Sequence, residues 1–137
     1  MAKNTQLSNL AVNTEADTLA ALANGGFLKL YDGTQPLTGD DAITTQIMLV
    51  ALVMGNPAFA PADAGVLIAN AITGVLAVAT GVAAWFRLTR SNGVAIWDGS
   101  VGTANANVIV PSTTVTVGVL YRCSTFTHTV YKNSTGY

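Results

Sequence analysis

One histidine and one cysteine are the side chains best suited to nucleophilic catalysis, which needs a base beside a thiol or hydroxyl. His128 and Cys123 stand five residues apart in a segment with the pattern of a β-strand. An odd separation directs the two side chains to opposite faces of a strand unless a bulge lies between them. The sequence therefore favours Cys123 as a small core residue and His128 as a polar group at the surface or at an interface.

Carboxylates are the second kind of candidate, because glycoside hydrolysis uses two of them at a set separation. The acidic residues of the chain are Glu15, Asp17, Asp32, Asp40, Asp41, Asp63 and Asp98. The start of a helix accounts for Glu15 and Asp17, and an ion pair with Arg87 accounts for Asp98. Only loop geometry could pair the others, so the sequence does not favour a catalytic pair.

Metal binding leaves one open candidate. Zinc requires several converging His or Cys ligands, which a single residue of each kind cannot supply. Calcium could be bound by Asp40 and Asp41 with Asp32, but their spacing matches no defined calcium loop, and acidic residues after a glycine are common in turns. We therefore expect no catalytic residue, no metal and no cofactor, and the chain is predicted not to be an enzyme.

Two patterns suggest contact with sugars. The sequence Asn133-Ser134-Thr135 fits the acceptor pattern for N-glycosylation, a short motif that often occurs by chance. Aromatic rings could form a sugar-binding platform, and the candidates are Trp85, Trp97, Tyr121 and Tyr131. Strand alternation places Trp97 beside Phe86 and Leu88, which favours packing in the core instead.

The composition indicates a subunit of a larger assembly. Only 9% of the residues are charged, where about a quarter is usual. A net charge of −1 provides little repulsion between neighbouring molecules. The cations are scattered along the chain, without the cluster that phosphate binding requires. They are Lys3, Lys29, Arg87, Arg90, Arg122 and Lys132. We therefore expect protein partners and no association with nucleic acid.

The span 64–86 allows two interpretations. Its 23 residues carry no charge, which is enough for a helix across a hydrocarbon layer about 30 Å thick. Asn70, Thr73 and Gly74 lie inside it, and Ala and Val outnumber Leu and Phe, which weakens insertion into a membrane. The favoured prediction is two neighbouring strands separated by a turn near Gly74, with no membrane contact.

A short helix is predicted near the N-terminus. Asn13 is the expected N-cap, and Glu15 and Asp17 fall in the first turn, where the helix dipole favours negative charge. Gly25 supplies a left-handed stop. The face that packs on the rest of the protein is expected to contain Ala16, Leu19, Leu22 and Ala23.

The pattern after this helix is that of β-strands. Residues 59–63 are expected to be irregular because Pro57 precedes them and Pro61 lies among them. A long strand is predicted to begin at Thr114, with a bulge near Ser124 that shifts the apolar phase to Phe126. The predicted strands are 27–31, 45–54, 66–72, 76–80, 84–91, 94–98, 108–110 and 114–130.

The clearest local signal is a hairpin. Asn92-Gly93 suits both positive-φ positions of a two-residue type I′ turn. This loop fixes the register, so Leu88 is expected opposite Trp97 and Arg87 opposite Asp98. The first pair lies on the predicted core face, and the second is expected to be an exposed ion pair on the other face.

These elements predict a mainly β fold, a jelly-roll-like antiparallel β-sandwich with a short N-terminal helix. Three regions are expected: an N-terminal arm and helix at 1–26, the sandwich at 27–131 and a C-terminal tail at 132–137. A parallel α/β fold is disfavoured because no segment in the β region could serve as a crossover helix.

Several short segments follow one another in a distinctive order. They are Asn13-Thr-Glu-Ala-Asp17 with Asn24-Gly25-Gly26, Phe27-Leu-Lys-Leu-Tyr-Asp-Gly-Thr-Gln-Pro36, Asn70-Ala-Ile-Thr73, Ala84-Trp-Phe-Arg-Leu88 and Trp97-Asp-Gly-Ser-Val-Gly102. Over nearly the whole chain this order resembles a family of small virion proteins of tailed bacteriophages. The resemblance implies a capsid cementing or decoration protein with a jelly-roll-like domain and without catalytic residues. The chain departs from the family pattern at 131–137.

The resemblance and the composition together predict a structural virion protein. It would be made in the host cytoplasm, associate as a homodimer or homotrimer, and bridge major capsid protein subunits on the outer surface of the capsid. The alternative is a phage tail or host-receptor-binding module, with exposed loops around Asp40, Phe59 and Asn105. A small membrane protein, such as a lysis factor, would rest on the span 64–86 alone.

Overall fold

The computed structural model describes residues 3–133, which contain one α-helix and eleven β-strands. The helix α1 spans Asn9–Ala21. The strands are β1 (Phe27–Tyr31), β2 (Met48–Val53), β3 (Val66–Ile68), β4 (Val75–Leu76), β5 (Gly81–Val82), β6 (Trp85–Thr89), β7 (Ala95–Gly102), β8 (Val108–Ile109), β9 (Thr114–Val115), β10 (Leu120–Tyr121) and β11 (Thr125–Thr129). The chain is mainly β with a short N-terminal helix, which confirms the predicted fold class.

The helix α1 begins earlier than predicted. Ser8 is its N-cap, and the Ser8 hydroxyl accepts a hydrogen bond of 3.1 Å from the N–H of Ala11. Asn13, the predicted cap, lies inside the helix, where its side-chain oxygen accepts a bond of 2.8 Å from the N–H of Gly65. The prediction was wrong because both residue types cap helices, and only the distant contact with Gly65 reveals the other use of Asn13. Gly25 has the predicted left-handed conformation, with φ of 65°.

Small side chains form the face of α1 that packs on the sheet. Val12, Ala16 and Ala20 are buried, and Ala16 and Ala20 belong to the same hydrophobic core as the strands. The predicted face was correct at Ala16 and Ala23, which are buried in the core, but Leu22 is 39% exposed. Short side chains allow the helix backbone to approach the sheet closely, which favours this face over the one that carries the leucines.

Seven strands form one mixed sheet in the order β2-β1-β6-β7-β8-β11-β3. Neighbouring strands are antiparallel except β7 and β8, which run parallel with Val101 beside Val108. The prediction of a wholly antiparallel sheet was wrong at this pair. The short loop 103–107 connects the two strands, and the Ser100 N–H and hydroxyl donate to the Asn107 side-chain oxygen at 3.1 and 3.0 Å.

The seven-stranded sheet curls around an aromatic core. In a flat sheet β6 and β11 would lie about 14 Å apart, because neighbouring strands are about 4.8 Å apart. The ring centroids of Phe86 on β6 and Phe126 on β11 are nevertheless only 5.0 Å apart. Phe59 also contacts Phe126, at 5.3 Å. The curled mixed sheet and its enclosed core are consistent with a β-sandwich.

The hairpin of β6 and β7 has the predicted cross-strand pairs but a different turn. The N–H of Arg90 donates to Val94, and the N–H of Gly93 donates to Arg90. Gly93 has a φ of 88°, and Asn92 does not have the positive φ that a type I′ turn requires. The loop therefore has three residues, 91–93. A register shift beside Leu88 compensates for the additional residue, which preserves both predicted pairs.

The uncharged span 64–86 forms strands, but they do not pair with one another as predicted. Strand β3 pairs with β11, β4 with β10, and β5 with β9. Each of these strands pairs with a strand that is distant in sequence, and not across a turn at Gly74. The periodicity of a segment does not identify such distant partners. Within residues 3–133, no helix has the length and apolar character needed to cross a membrane.

Candidate interaction surface

The two longest uncharged stretches of the sequence, 64–86 and 99–121, meet in one antiparallel ribbon. Leu76 of β4 lies opposite Leu120 of β10, and Val82 of β5 lies opposite Thr114 of β9. Both strand pairs share one register, so the intervening residues on each side are equal in number. We call residues 75–82 and 114–121 the ribbon.

A turn interrupts the ribbon at Gly118. The N–H of Gly118 donates to the carbonyl of Ala77 at 2.9 Å, and the N–H of Ala77 donates to the carbonyl of Val119 at 3.0 Å. Gly118 has a φ of 79°, and Val119 closes a turn onto Thr116 at 3.1 Å. The long strand predicted from Thr114 was therefore wrong, because this turn separates β9 from β10.

The exposed side chains of the ribbon are those of aliphatic residues and threonines, with no charge among them. Leu76 and Leu120 are exposed cross-strand partners. Ala77 and Val115 face inward and are buried. Six aliphatic side chains of the ribbon are between 47% and 61% exposed: Leu76, Val78, Val82, Val117, Val119 and Leu120. A concentration of exposed apolar side chains is typical of protein interaction sites.

A groove of about 300 Å³ borders the ribbon on the side of β9 and β10. Tyr121 closes one side, and its hydroxyl donates a bond of 2.6 Å to the carbonyl of Ser112. Burial raises the pKa of Tyr121 to about 12, so this hydroxyl stays a neutral donor. Arg122 supplies the single charged side chain of the lining, in which Pro111, Val119 and Leu120 also take part.

The ion pair predicted between Arg87 and Asp98 forms, but it is buried and not exposed. The Arg87 Nε and Nη2 donate to the two Asp98 carboxylate oxygens at 2.7 and 2.8 Å. The side chains are 9% and 3% exposed, respectively. The pKa of Arg87 is raised chiefly by its hydrogen bond with Asp98, so the guanidinium remains charged. Alternation identified the correct face of the strand, but the loop that covers this face cannot be deduced from alternation.

Loop 32–47 covers this pair and the aromatic residues beside it. Arg87 Nη2 also donates to the carbonyl of Thr38 at 3.4 Å. The Asp32 carboxylate accepts a bond of 2.6 Å from the N–H of Ile47, which fixes the far end of the loop. Tyr31 and Trp85 stack at 4.6 Å beneath it, and burial raises the pKa of Tyr31. The loop thus acts as a second layer on the outer face of β1, β6 and β7.

The sequence segments that resemble the virion protein family have structural roles in the fold. Trp85 Nε1 donates to the carbonyl of Asp32 at 3.0 Å, which joins two of the segments. Gly99 faces the ring of Phe86, and an added Cβ would lie 2.5 Å from that ring. Glycine is therefore required there for Phe86 to pack across β7. These motifs build the sheet and its cover, and they do not converge on a reactive group.

Trp97 and His128 stack on each other with ring centroids 4.4 Å apart. Trp97 also contacts Phe126 at 6.0 Å and packs against the core, as predicted, although it is only partly buried. Burial lowers the pKa of His128, which favours the neutral ring. His128 is thus a half-buried ring that stacks on Trp97, and its expected role as a surface or interface group stays a prediction.

Cys123 does not share a strand with His128, which belongs to β11. Its thiol donates to the carbonyls of Ile109 and Thr125 at 3.6 and 3.3 Å. Burial raises the pKa of Cys123 to about 11, so the thiol is not activated as a nucleophile. The interpretation of Cys123 as a small residue packed against the core is confirmed.

Three of the seven carboxylates considered for catalysis accept hydrogen bonds from the backbone: Asp17, Asp32 and Asp41. Asp17 accepts a bond of 2.8 Å from the N–H of Ala62, so its predicted role at the helix start was wrong. Asp41 accepts one of 2.9 Å from the N–H of Thr38. Within residues 3–133, no three His, Cys, Asp or Glu side chains form a group that could hold a metal ion.

The aromatic rings considered for a sugar-binding platform do not come together. Trp85 and Tyr121 are buried, Trp97 is partly buried, and Tyr131 is exposed, so the four rings form no common platform. Asn133 donates a bond of 3.1 Å to the Gln6 side chain. Ser134 and Thr135 of the Asn-Ser-Thr pattern, and most of the predicted tail 132–137, lie outside the described residues.

Comparisons of this chain with models of protein families, with curated proteins and with solved structures find no match. The virion protein family therefore remains a prediction from the resemblance, and the ribbon is the described surface best suited to recognition of another protein.

Proposed function

We propose that this protein is a non-catalytic structural protein of a bacteriophage virion that cements or decorates the capsid. The observation that carries the proposal is the ribbon, which presents six exposed aliphatic side chains with no charged residue among them. Removing such a surface from water on contact with another protein is favourable and requires no charge to be desolvated.

The expected partners are major capsid protein subunits and further copies of this chain, as a homodimer or homotrimer on the outer capsid surface. A chain with few charges approaches a protein shell with little electrostatic repulsion. Each contact can be weak, because a subunit that touches several shell proteins at once gains affinity from multivalency. The jelly-roll connectivity implied by the family resemblance is part of this proposal, as is the absence of nucleic-acid and membrane partners.

Electron microscopy of the parent particle tests the proposal directly. A copy number in the hundreds, with density on the outer shell, is the expected result. A copy number in the tens or fewer, at the tail, would overturn capsid cementing and support the tail or receptor-binding alternative. That alternative has one structural observation in its favour, since Leu37 at the tip of loop 32–47 is 98% exposed. Phe59, expected in an exposed loop of such a module, is buried.

A paired substitution tests the role of the ribbon. Leu76→Asn with Leu120→Asn should preserve the fold, because both side chains are exposed, but it should abolish binding to particles that lack the protein. Val94→Asn is the matched control, since Val94 is similarly exposed at 55% but lies beside the hairpin turn. Normal particle binding by the double variant would show that the ribbon is not the docking surface.

A further inference from the structure

The helix α1 has a second uncharged face, opposite the face that packs on the sheet. A helix turns by about 100° per residue, so residues four apart form a stripe along its length. The inner stripe contains Val12, Ala16 and Ala20, which are buried. The opposite stripe, which we call the outer stripe, contains Leu10, Thr14, Thr18 and Leu22, which are exposed.

The two threonines make the outer stripe less polar than their type suggests. The Thr14 hydroxyl donates to the carbonyl of Leu10, and the Thr18 hydroxyl donates to the carbonyl of Thr14, each at 2.8 Å. With their hydroxyl protons used inside the helix, these side chains present methyl groups to the outside. Leu10 is 78% exposed, and Leu22 borders a shallow hollow of about 400 Å³ with Leu19.

A surface helix of a globular protein is expected to carry charged or polar residues on the face that points away from the core. A helix that is apolar on two opposite faces is typical of one buried between two layers. In the part of the chain that the structure describes, only the inner stripe is covered. The outer stripe therefore has the character of an interface.

The charges beside the outer stripe decide between possible occupants. Glu15 lies on one flank of the stripe and Asp17 on the other, and the sequence of α1 contains no Lys or Arg. The last turn of the helix also carries no basic residue to balance the negative end of the helix dipole. A second copy packed on the same face would bring four acidic side chains together, which disfavours self-association there.

We infer that the outer stripe docks a helix of a partner protein whose apolar side chains are flanked by Lys or Arg. Apolar contact along Leu10 and Leu22 would supply the affinity, and the acidic flanks would select the partner and its orientation. The inference goes beyond the proposed function, because this surface is built from α1 and not from the ribbon. It holds whether or not the partner belongs to a capsid.

Two amphipathic helical peptides with the same leucine stripe serve as probes, one flanked by lysines and the other by glutamates. The full chain should bind the lysine peptide at least about tenfold more tightly by calorimetry, with amide shifts confined to 9–22. Leu10→Ser with Leu22→Ser should lower that affinity by about tenfold or more, while Leu37→Ser should leave it unchanged. Glu15→Lys should weaken binding of the lysine peptide and strengthen binding of the glutamate peptide.

Three outcomes would overturn the inference. Equal affinity for the two peptides would show that the acidic residues beside the outer stripe do not select the partner. Amide shifts outside α1 would place the site elsewhere. Sedimentation of the wild-type chain as a dimer that the Leu10→Ser and Leu22→Ser variant dissociates would make a second copy the occupant. A normal circular dichroism spectrum of each variant is required for the comparison, and the exposure of Leu10 and Leu22 favours that result.

Discussion

The Arg87 guanidinium and the Asp98 carboxylate meet in two parallel hydrogen bonds of 2.7 and 2.8 Å beneath loop 32–47. This bidentate geometry gives the strongest kind of ion pair. The guanidinium also lies 5.7 Å from the ring centroid of Trp85 and donates to the carbonyl of Thr38. The pair thus connects the loop to the sheet, and its burial makes each partner dependent on the other.

Replacement of one partner should be strongly destabilising. Arg87→Ala leaves the Asp98 carboxylate buried without its counter-charge, which costs about 3–5 kcal/mol. Arg87→Met with Asp98→Leu removes both charges and retains much of the volume, so this variant should be close to wild type in stability. Urea unfolding at neutral pH measures both. A loss of only about 0–1 kcal/mol in Arg87→Ala would indicate a solvent-exposed pair.

The aromatic core predicts an order of sensitivity. Phe126 is 1% exposed and contacts the rings of Phe59, Phe86 and Trp97, so Phe126→Ala should cost about 3–5 kcal/mol. Trp97→Ala should cost less, because Trp97 is only partly buried. Thermal melting of both variants gives the comparison. Equal losses would mean that the curled sheet closes over Trp97 more completely than the structure shows.

Local sequence signals predicted the local parts of this fold. The strand Phe27–Tyr31 and the left-handed Gly25 follow from patterns within a few residues, and both are confirmed. The hairpin pairs of β6 and β7 were also correct, although the turn was not, because a register shift compensated for the longer loop. Agreement in register therefore does not establish the turn type.

Nonlocal parts of the fold and of the candidate surface could not be predicted in this way. The ribbon pairs Leu76 with Leu120, and no sequence pattern in either segment identifies the other as its partner. The lack of charge in 64–86 and 99–121 was visible in the sequence, and it is the signal that could have suggested their association. The burial of Arg87 depends on loop 32–47, whose path has no periodic pattern.

Cys123 is expected to react slowly with thiol reagents. Its pKa is raised from 9.0 to about 11 by burial, so at pH 8 the thiolate fraction is about a hundredfold lower than for an ordinary thiol. The rate of modification by a disulfide reagent should rise with pH through this range, and the chain unfolded in urea provides the reference rate. Equal rates in the folded and unfolded chains would contradict the buried thiol.

Stability should fall as the pH is lowered through the range in which His128 titrates. Burial lowers the pKa of folded His128 below its unfolded value, which is about 6.5. Between the two values the unfolded chain binds a proton that the folded chain does not, so acid favours unfolding there. Stability from this group is complete above about pH 6.5 and declines below it until the folded pKa is reached.

His128→Phe isolates this contribution, because phenylalanine keeps a ring against Trp97 but does not titrate. Melting temperatures of the wild type and the variant should be compared between about pH 7.5 and pH 5, a window that begins above the unfolded pKa of histidine. Carboxylates affect both proteins alike, so the difference between the two profiles reports His128. The wild type should lose stability more steeply than His128→Phe as the pH falls. Parallel profiles would show that His128 is as accessible to protons in the folded chain as in the unfolded one, and that its stack on Trp97 does not shield it.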